Sequence, residues 1–189
     1  MIKPQALAPG DLIGVVAPAS NIKEDLLLEG CQELQRQGFK TIFRPDITAT
    51  HRYTAGALER RAAEFMEMLL NPEVRAIFCA RGGYGSGQLI PKIPPQAFRD
   101  NPKIICGSSD LTVLLNYVMS SGVAAFHGPM VATAIRQGSQ GYDQTVFWNL
   151  LQHALPVRFP VNGTTVLRAG AAEGRLTGGC LSDRKSTRL

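Results

Sequence analysis

Short, largely apolar runs alternating with amphipathic stretches constrain this chain more than any other feature. Residues 12–17 (LIGVVA) are continuous and apolar, as a strand covered on both faces must be. Residues 23–37 follow with Leu27, Cys31 and Leu34 at helical spacing and Gly38 as a C-terminal stop. The polar residues of 18–21, between the two, can cap that helix. Residues 41–44 predict a second strand closed by Pro45, and 57–70 a helix with Leu58, Ala62, Phe65 and Leu69 on one face. Strands are predicted at 74–79, 103–106 and 123–126, and helices at 111–119 and 142–153. This alternation predicts an α/β fold, a mostly parallel sheet with helices on both faces. Such sheets bind ligands at the carboxyl ends of their strands. The glycine-rich segment 81–87, the turn 107–110 and the His127-Gly128-Pro129 turn each follow a strand directly, so they are expected to share one edge.

Composition narrows the function. With 44% hydrophobic and 19% charged residues in 189, the chain can bury a core and does not read as disordered. The net charge is +5, but two of those charges come from the final seven residues, DRKSTRL. No aromatic-interleaved basic stripe or zinc-finger spacing is present, which argues against a nucleic-acid partner. Cys31, Cys79, Cys106 and Cys180 stand singly, so neither a disulfide framework nor a metal site is expected, and three of them read as small buried hydrophobes. The first apolar run is too short for a secretory signal and far below the roughly 18 residues needed to span a bilayer. A cytoplasmic protein with no membrane partner is expected. The organisation reads as an α/β domain at 1–155, then a linker and the start of a second, truncated domain at 156–182. Within it, 157–167 resembles extended segments about an Asn162-Gly163 turn. Residues 183–189 read as a non-native tail.

Three segments could carry chemistry. A serine between a buried strand and a helix, as in Gly107-Ser108-Ser109-Asp110, can act as a nucleophile, with a neighbouring backbone N–H stabilising the oxyanion. The second glycine of a G-x-S-x-G elbow would fall on Leu111, so that motif is not matched. A helix N-cap at Ser109 or Asp110 stays open on spacing alone. The loop Arg81-Gly82-Gly83-Tyr84-Gly85-Ser86-Gly87 can form an anion-binding nest or an oxyanion hole, although it matches neither of the phosphate-binding glycine signatures. His127 follows a strand and could reach the same edge as a base, or serve only as a turn residue.

Together these segments resemble the LD-carboxypeptidases, or muramoyltetrapeptide carboxypeptidases, a family whose relatives include microcin immunity peptidases. The resemblance rests on GDLIGVVAPAS (10–20), YTAGALERR (53–61), ARGGYGSGQLI (80–90), CGSSDLTVLL (106–115), FHGP (126–129) and EGRLTGGCLS (173–182), in that order. It implies a cofactor-free cytoplasmic serine peptidase that removes terminal D-alanine from a small muropeptide in cell-wall recycling, dimeric at full length. The family's G-x-S-D motif maps onto 107–110 and selects Ser109 as nucleophile, with the backbone N–H groups of Asp110 and Gly83 as oxyanion hole. Arg81 and His127 fall at the substrate edge, and the resemblance demotes His127 as base, because the family's catalytic Glu and His lie in a second domain. Glu173 does not match that Glu. DRKSTRL looks like the in-frame translation of a sequencing adapter, so the chain itself is expected to be a nearly inert fragment. Two rivals remain: a microcin-immunity-type peptidase, and a non-catalytic module that binds an anionic ligand at 81–83.

Overall fold

The computed structural model describes residues 1–153, 163 and 165–174. A five-stranded sheet forms its centre. Strand β1 (Leu12–Val16) lies between β2 (Lys40–Ile42) and β3 (Val74–Cys79), and β4 (Ile104–Gly107) and β5 (Phe126–His127) extend the sheet beyond β3. Every neighbouring pair is parallel, as the alternating pattern requires. The order is 2-1-3-4-5. The chain leaves β1 in one direction to make β2 and returns across it to make β3, so the connections diverge at β1 and β3. A crevice above the carboxyl ends of those two strands follows from that divergence.

The strands' period of two divides the interior into two layers. Ile13, Val15, Ala76, Phe78, Ile104 and Cys106 face α1 (Glu24–Arg36) and α5 (Gln144–Gln152), which contribute Leu27, Leu34, Phe147 and Trp148. Val16, Ile77, Cys79 and Ile105 face α2 (Leu58–Leu70), α3 (Pro95–Asp100) and α4 (Thr112–Ser120), which contribute Phe65, Phe98 and Leu114. Each Val, Leu, Ile or Phe among them stabilises the fold by about 1.5–3 kcal/mol on burial, before ordering costs. Helix α2 lies close on the sheet. A Cβ at Gly14 would sit 3.0 Å from Met68 Sδ, so a side chain there would push the helix outward. Cys31, Cys79 and Cys106 are free and buried; Cys180 lies outside the described residues.

Several boundaries differ from the sequence expectation. The residues of 18–21 do not cap α1, whose N-cap is Lys23 with no side-chain bond. The fifth strand is displaced from 123–126 to Phe126–His127, because Val123 pairs instead with Ile2, and only Phe126 and His127 lie opposite Cys106 and Gly107. Helix α3 and the tight helical turns Ser86–Lys92 and Ile135–Gln140 were unforeseen. Pro95 sits in the first turn of α3, where its missing N–H costs nothing. Asp143 caps α5 by accepting from the Val146 N–H at 3.0 Å. Of the turn expected at Asn162-Gly163, only Gly163 is described, with φ +73°. The remaining segments about that turn are mostly undescribed, as are 175–189 with the DRKSTRL tail. No helix among the described residues is long and apolar enough to cross a membrane.

Candidate active site

The turn after β4 holds its serine in an unusual conformation. Ser108 is extended at φ −153°, and Ser109 then takes φ +58°, a left-handed conformation costing about 1–3 kcal/mol for a residue with a Cβ. Ser109 is exposed, whereas Asp110 is only 8% exposed. Neither residue caps α4. The Asp110 carboxylate instead accepts the Ser86 N–H at 2.9 Å, and the Ser86 hydroxyl donates to the Asp110 carbonyl at 2.7 Å. These bonds fasten the β4 turn to the loop after β3. Because the strain belongs to one backbone angle that glycine adopts freely, Ser109→Gly is expected to raise stability by about 1 kcal/mol. Thermal unfolding checks this, and an unchanged or lower midpoint would show that the turn carries no such strain.

The loop after β3 approaches the same turn through its glycines. A Cβ at Gly82 would lie 3.2 Å from Ser109 Cβ and 3.5 Å from the Asp110 nitrogen, so a side chain there would press on the Ser109 turn. Gly83 has φ +108°, and a Cβ there would overlap Ser20 Oγ at 2.1 Å. Ser20 stands at the end of the β1 loop. Its N–H donates to the Gly82 carbonyl at 3.2 Å, and its hydroxyl oxygen accepts the Tyr84 N–H at 3.1 Å. Exposed Arg81 donates to the Asn21 carbonyl at 3.2 Å. The loops after β1, β3 and β4 thus meet at the crevice. His127 is exposed at the end of β5, in register with Gly107. No hydrogen bond joins His127 to Ser109 among the described residues.

Beneath this edge lies a charged layer supplied by α2. Arg61 is 2% exposed. Its guanidinium donates to the carbonyls of Pro18 at 2.8 Å and Gly85 at 2.9 Å, and to Gln88 Oε1 at 2.7 Å. One side chain therefore ties the β1 loop to the β3 loop. Burial lowers its pKa, which the charge of Asp110 partly restores. Glu64, fully buried, accepts the Ala17 N–H at 2.8 Å and pairs with Arg60 at 2.7 Å. Burial pushes its carboxyl up to about 7, against the opposing pull of Arg60 and the Ala17 N–H.

That shift fixes a sign. The folded chain holds the Glu64 proton up to about pH 7, whereas the unfolded chain releases it near pH 4.5. Between those values the native state binds more protons, so stability declines as pH rises, by about 3 kcal/mol in total if Glu64 acts alone. Glu64→Gln should remove that decline. Denaturant unfolding across pH 4.5–7 tests this, and an unaltered slope in the variant would exclude Glu64 as its source.

Comparison with known proteins is decisive at the level of family. The model of the LD-carboxypeptidase N-terminal domain matches residues 13–128, spanning β1 to the end of β5. The chain belongs to the LD-carboxypeptidase family. It is 35% identical over 188 residues to a Bacillus subtilis protein named "probable murein peptide carboxypeptidase", covering 98% of this chain and 59% of that one. It is 35% identical over 124 residues to the murein tetrapeptide carboxypeptidase of Pseudomonas aeruginosa, covering 65% of this chain and 40% of that one. Among solved structures, the microcin C7 self-immunity protein MccF in complex with aspartyl sulfamoyl adenosine superposes with a TM-score of 0.75 at 27% identity, over 89% of this chain and 56% of that one. The chain thus spans about 59% of the length of the Bacillus relative.

Within this LD-carboxypeptidase domain the structure brings Ser109, Asp110, Gly83 and Arg81 to one edge, with His127 on the far side of the β4 turn. Sequence reasoning missed Ser20, Arg61, Glu64 and Ser86. Ser20 was read as a helix cap. Arg61 and Glu64 stand on a helix whose periodicity marks only Leu58, Ala62, Phe65 and Leu69 as its inward face. The signal for them was their place one turn into α2, directly after YTAG, where side chains lean back toward the sheet's carboxyl edge.

Proposed function

We propose that this domain supplies the nucleophile and oxyanion hole of a serine carboxypeptidase that removes terminal D-alanine from murein tetrapeptide. The observation that carries the reading is the exposed, positive-φ Ser109 directly after a buried strand, with Gly82 packed against it. That geometry holds a hydroxyl above the sheet edge as a strand-to-helix nucleophile turn does. In the proposed reaction, Ser109 Oγ bonds to the amide carbonyl carbon while its proton passes to a histidine base. The Asp110 and Gly83 N–H groups stabilise the oxyanion. The intermediate collapses, the C–N bond breaks, and D-alanine leaves with the proton. Water then hydrolyses the acyl-serine by the same route.

The base is proposed to come from the part of the relatives' length that this chain does not span, and the same part would supply the catalytic Glu and any dimer contact. A serine hydroxyl without a base is a weak nucleophile at neutral pH. The chain alone is therefore expected to release D-alanine at least about 10³-fold more slowly than a protein extended to the relatives' full length. Comparable rates from the two would overturn the missing-base argument. Similarity to MccF favours a second substrate class, so the extended protein should also be offered aspartyl sulfamoyl adenosine. Cleavage of that conjugate with no D-alanine release would replace the murein reading with an immunity-type one.

A further inference from the structure

Gly83 joins two peptide units, and Ser20, from the loop of another strand, binds both of them. The Ser20 N–H donates to the Gly82 carbonyl at 3.2 Å, which fixes the unit that carries the Gly83 N–H. The Ser20 hydroxyl accepts the Tyr84 N–H at 3.1 Å, which fixes the unit that carries the Gly83 carbonyl. A trans peptide is planar and sets its N–H opposite its C=O, so the first bond turns the Gly83 N–H away from the Ser20 backbone. Gly83 is exposed, and among the described residues no backbone acceptor meets its N–H. Ser20 is itself only 8% exposed, and its backbone is braced on both sides. The Ala55 N–H donates to the Ala19 carbonyl and the Asn21 N–H to the Tyr53 carbonyl, each at 3.0 Å, so that Ser20 and Thr54 form an antiparallel bridge. Two of the segments that resemble the family, 10–20 and 53–61, thus meet at one residue.

We propose that Ser20 is the positioning residue of the oxyanion hole, clamping the peptide units on either side of Gly83 so that its N–H is aimed before substrate arrives. The inference deepens the peptidase reading and rests on it. Residues 81–87 contain four glycines, and a glycine rotates freely about both of its backbone bonds. A donor carried by such a loop would have to be ordered at each turnover, whereas a donor fixed in advance costs no reorganisation when charge develops on the substrate oxygen. The clamp removes that freedom and leaves Gly83 at φ +108°. Its two sides fit each other closely, since a Cβ at Gly83 would lie 2.1 Å from Ser20 Oγ. The fixed unit also begins beside the nucleophile, because Gly82 packs on Ser109 and the Asp110 nitrogen. Ser20 touches neither Ser109 nor Asp110 through any hydrogen bond among the described residues, so it acts through Gly83. Its effect therefore falls on the charged transition state more than on substrate binding.

Ser20→Ala and Ser20→Thr test the proposal in a protein extended to the relatives' full length, by D-alanine release from murein tetrapeptide and by hydrogen exchange at single amides. Alanine keeps the backbone bond to the Gly82 carbonyl but removes the acceptor of the Tyr84 N–H. It is expected to lower kcat about tenfold with KM within about twofold, and to speed exchange of the Tyr84 amide about tenfold, while the amides of β1 and β3 keep their protection. Threonine retains the hydroxyl and should restore both kcat and Tyr84 protection. Faster Tyr84 exchange with kcat unchanged in the alanine variant overturns the positioning role and leaves the peptidase reading intact. A raised KM at unchanged kcat overturns it as well, by assigning Ser20 to substrate binding. So does a threonine variant in which Tyr84 is protected again and kcat stays low. Loss of protection throughout β1 and β3 in the alanine variant makes the lost rate structural, and the proposal fails. A parent that releases no D-alanine is the separate failure of the peptidase reading, and the positioning role falls with it.

Discussion

Replacing Ser109 with alanine in a protein extended to the relatives' full length is expected to lower D-alanine release from murein tetrapeptide at least about 10³-fold. The thermal midpoint should stay nearly the same. The hydroxyl is the atom that would bond to the carbonyl, and no other exposed hydroxyl stands in a positive-φ turn above the sheet edge among the described residues. Its side chain makes no packing contact worth several kcal/mol, because Ser109 is exposed. Alanine retains the Cβ and with it the backbone strain. Loss of rate without loss of stability therefore separates a chemical role from a structural one. Retention of more than about a tenth of the activity would remove Ser109 from the mechanism.

The second large effect is expected from Arg61→Leu, in this chain as it stands. Leucine can fill much of the space but donates nothing. The carbonyls of Pro18 and Gly85, now bonded at 2.8 and 2.9 Å, would be left without that donor in a buried place, at about 1–3 kcal/mol each. The attraction between Arg61 and Asp110 would be lost as well. A loss of about 3 kcal/mol follows, or roughly 6–12 °C in the midpoint for a domain of this size. Arg61→Lys should recover only part of it, because an ammonium cannot reproduce the planar fork that reaches three acceptors at once. Urea unfolding of the three proteins measures the difference. A leucine variant within about 0.5 kcal/mol of the parent would mean that the β1 and β3 loops hold together without the guanidinium.

The architecture was legible because its signals are local. LIGVVA, the AIFC that ends VRAIFC and the IIC that ends at Cys106 are apolar without interruption, as strands buried on both faces of a covered parallel sheet must be. The position of the site followed from the same pattern, since every candidate loop trailed a strand. What escaped notice depended on contacts across long sequence distances. Ser20 looks like a cap because its partner, the Tyr84 N–H, is 64 residues away. Arg61 and Glu64 look like a solvated helix face because the carbonyls of Pro18 and Gly85 and the N–H of Ala17 that meet them lie 43, 24 and 47 residues away. The short fifth strand was displaced because residue 2, at the far end of the chain, takes the pairing that Val123 would otherwise offer.

The sulfur atoms under the site give the domain a way to report its own opening. Cys79 ends β3 and Cys106 lies within β4, both fully enclosed, and burial raises both thiols above their ordinary range. An electrophile added to the folded protein meets neither a thiolate nor a path to one. Reagents aimed at the serine can therefore be used without blocking these two positions first. Conversely, any alkylation of Cys79 or Cys106 counts a moment when the centre of the sheet has parted. The rate at which mass is gained in a thiol-modifying reagent is then a clock for the escape of the innermost strands.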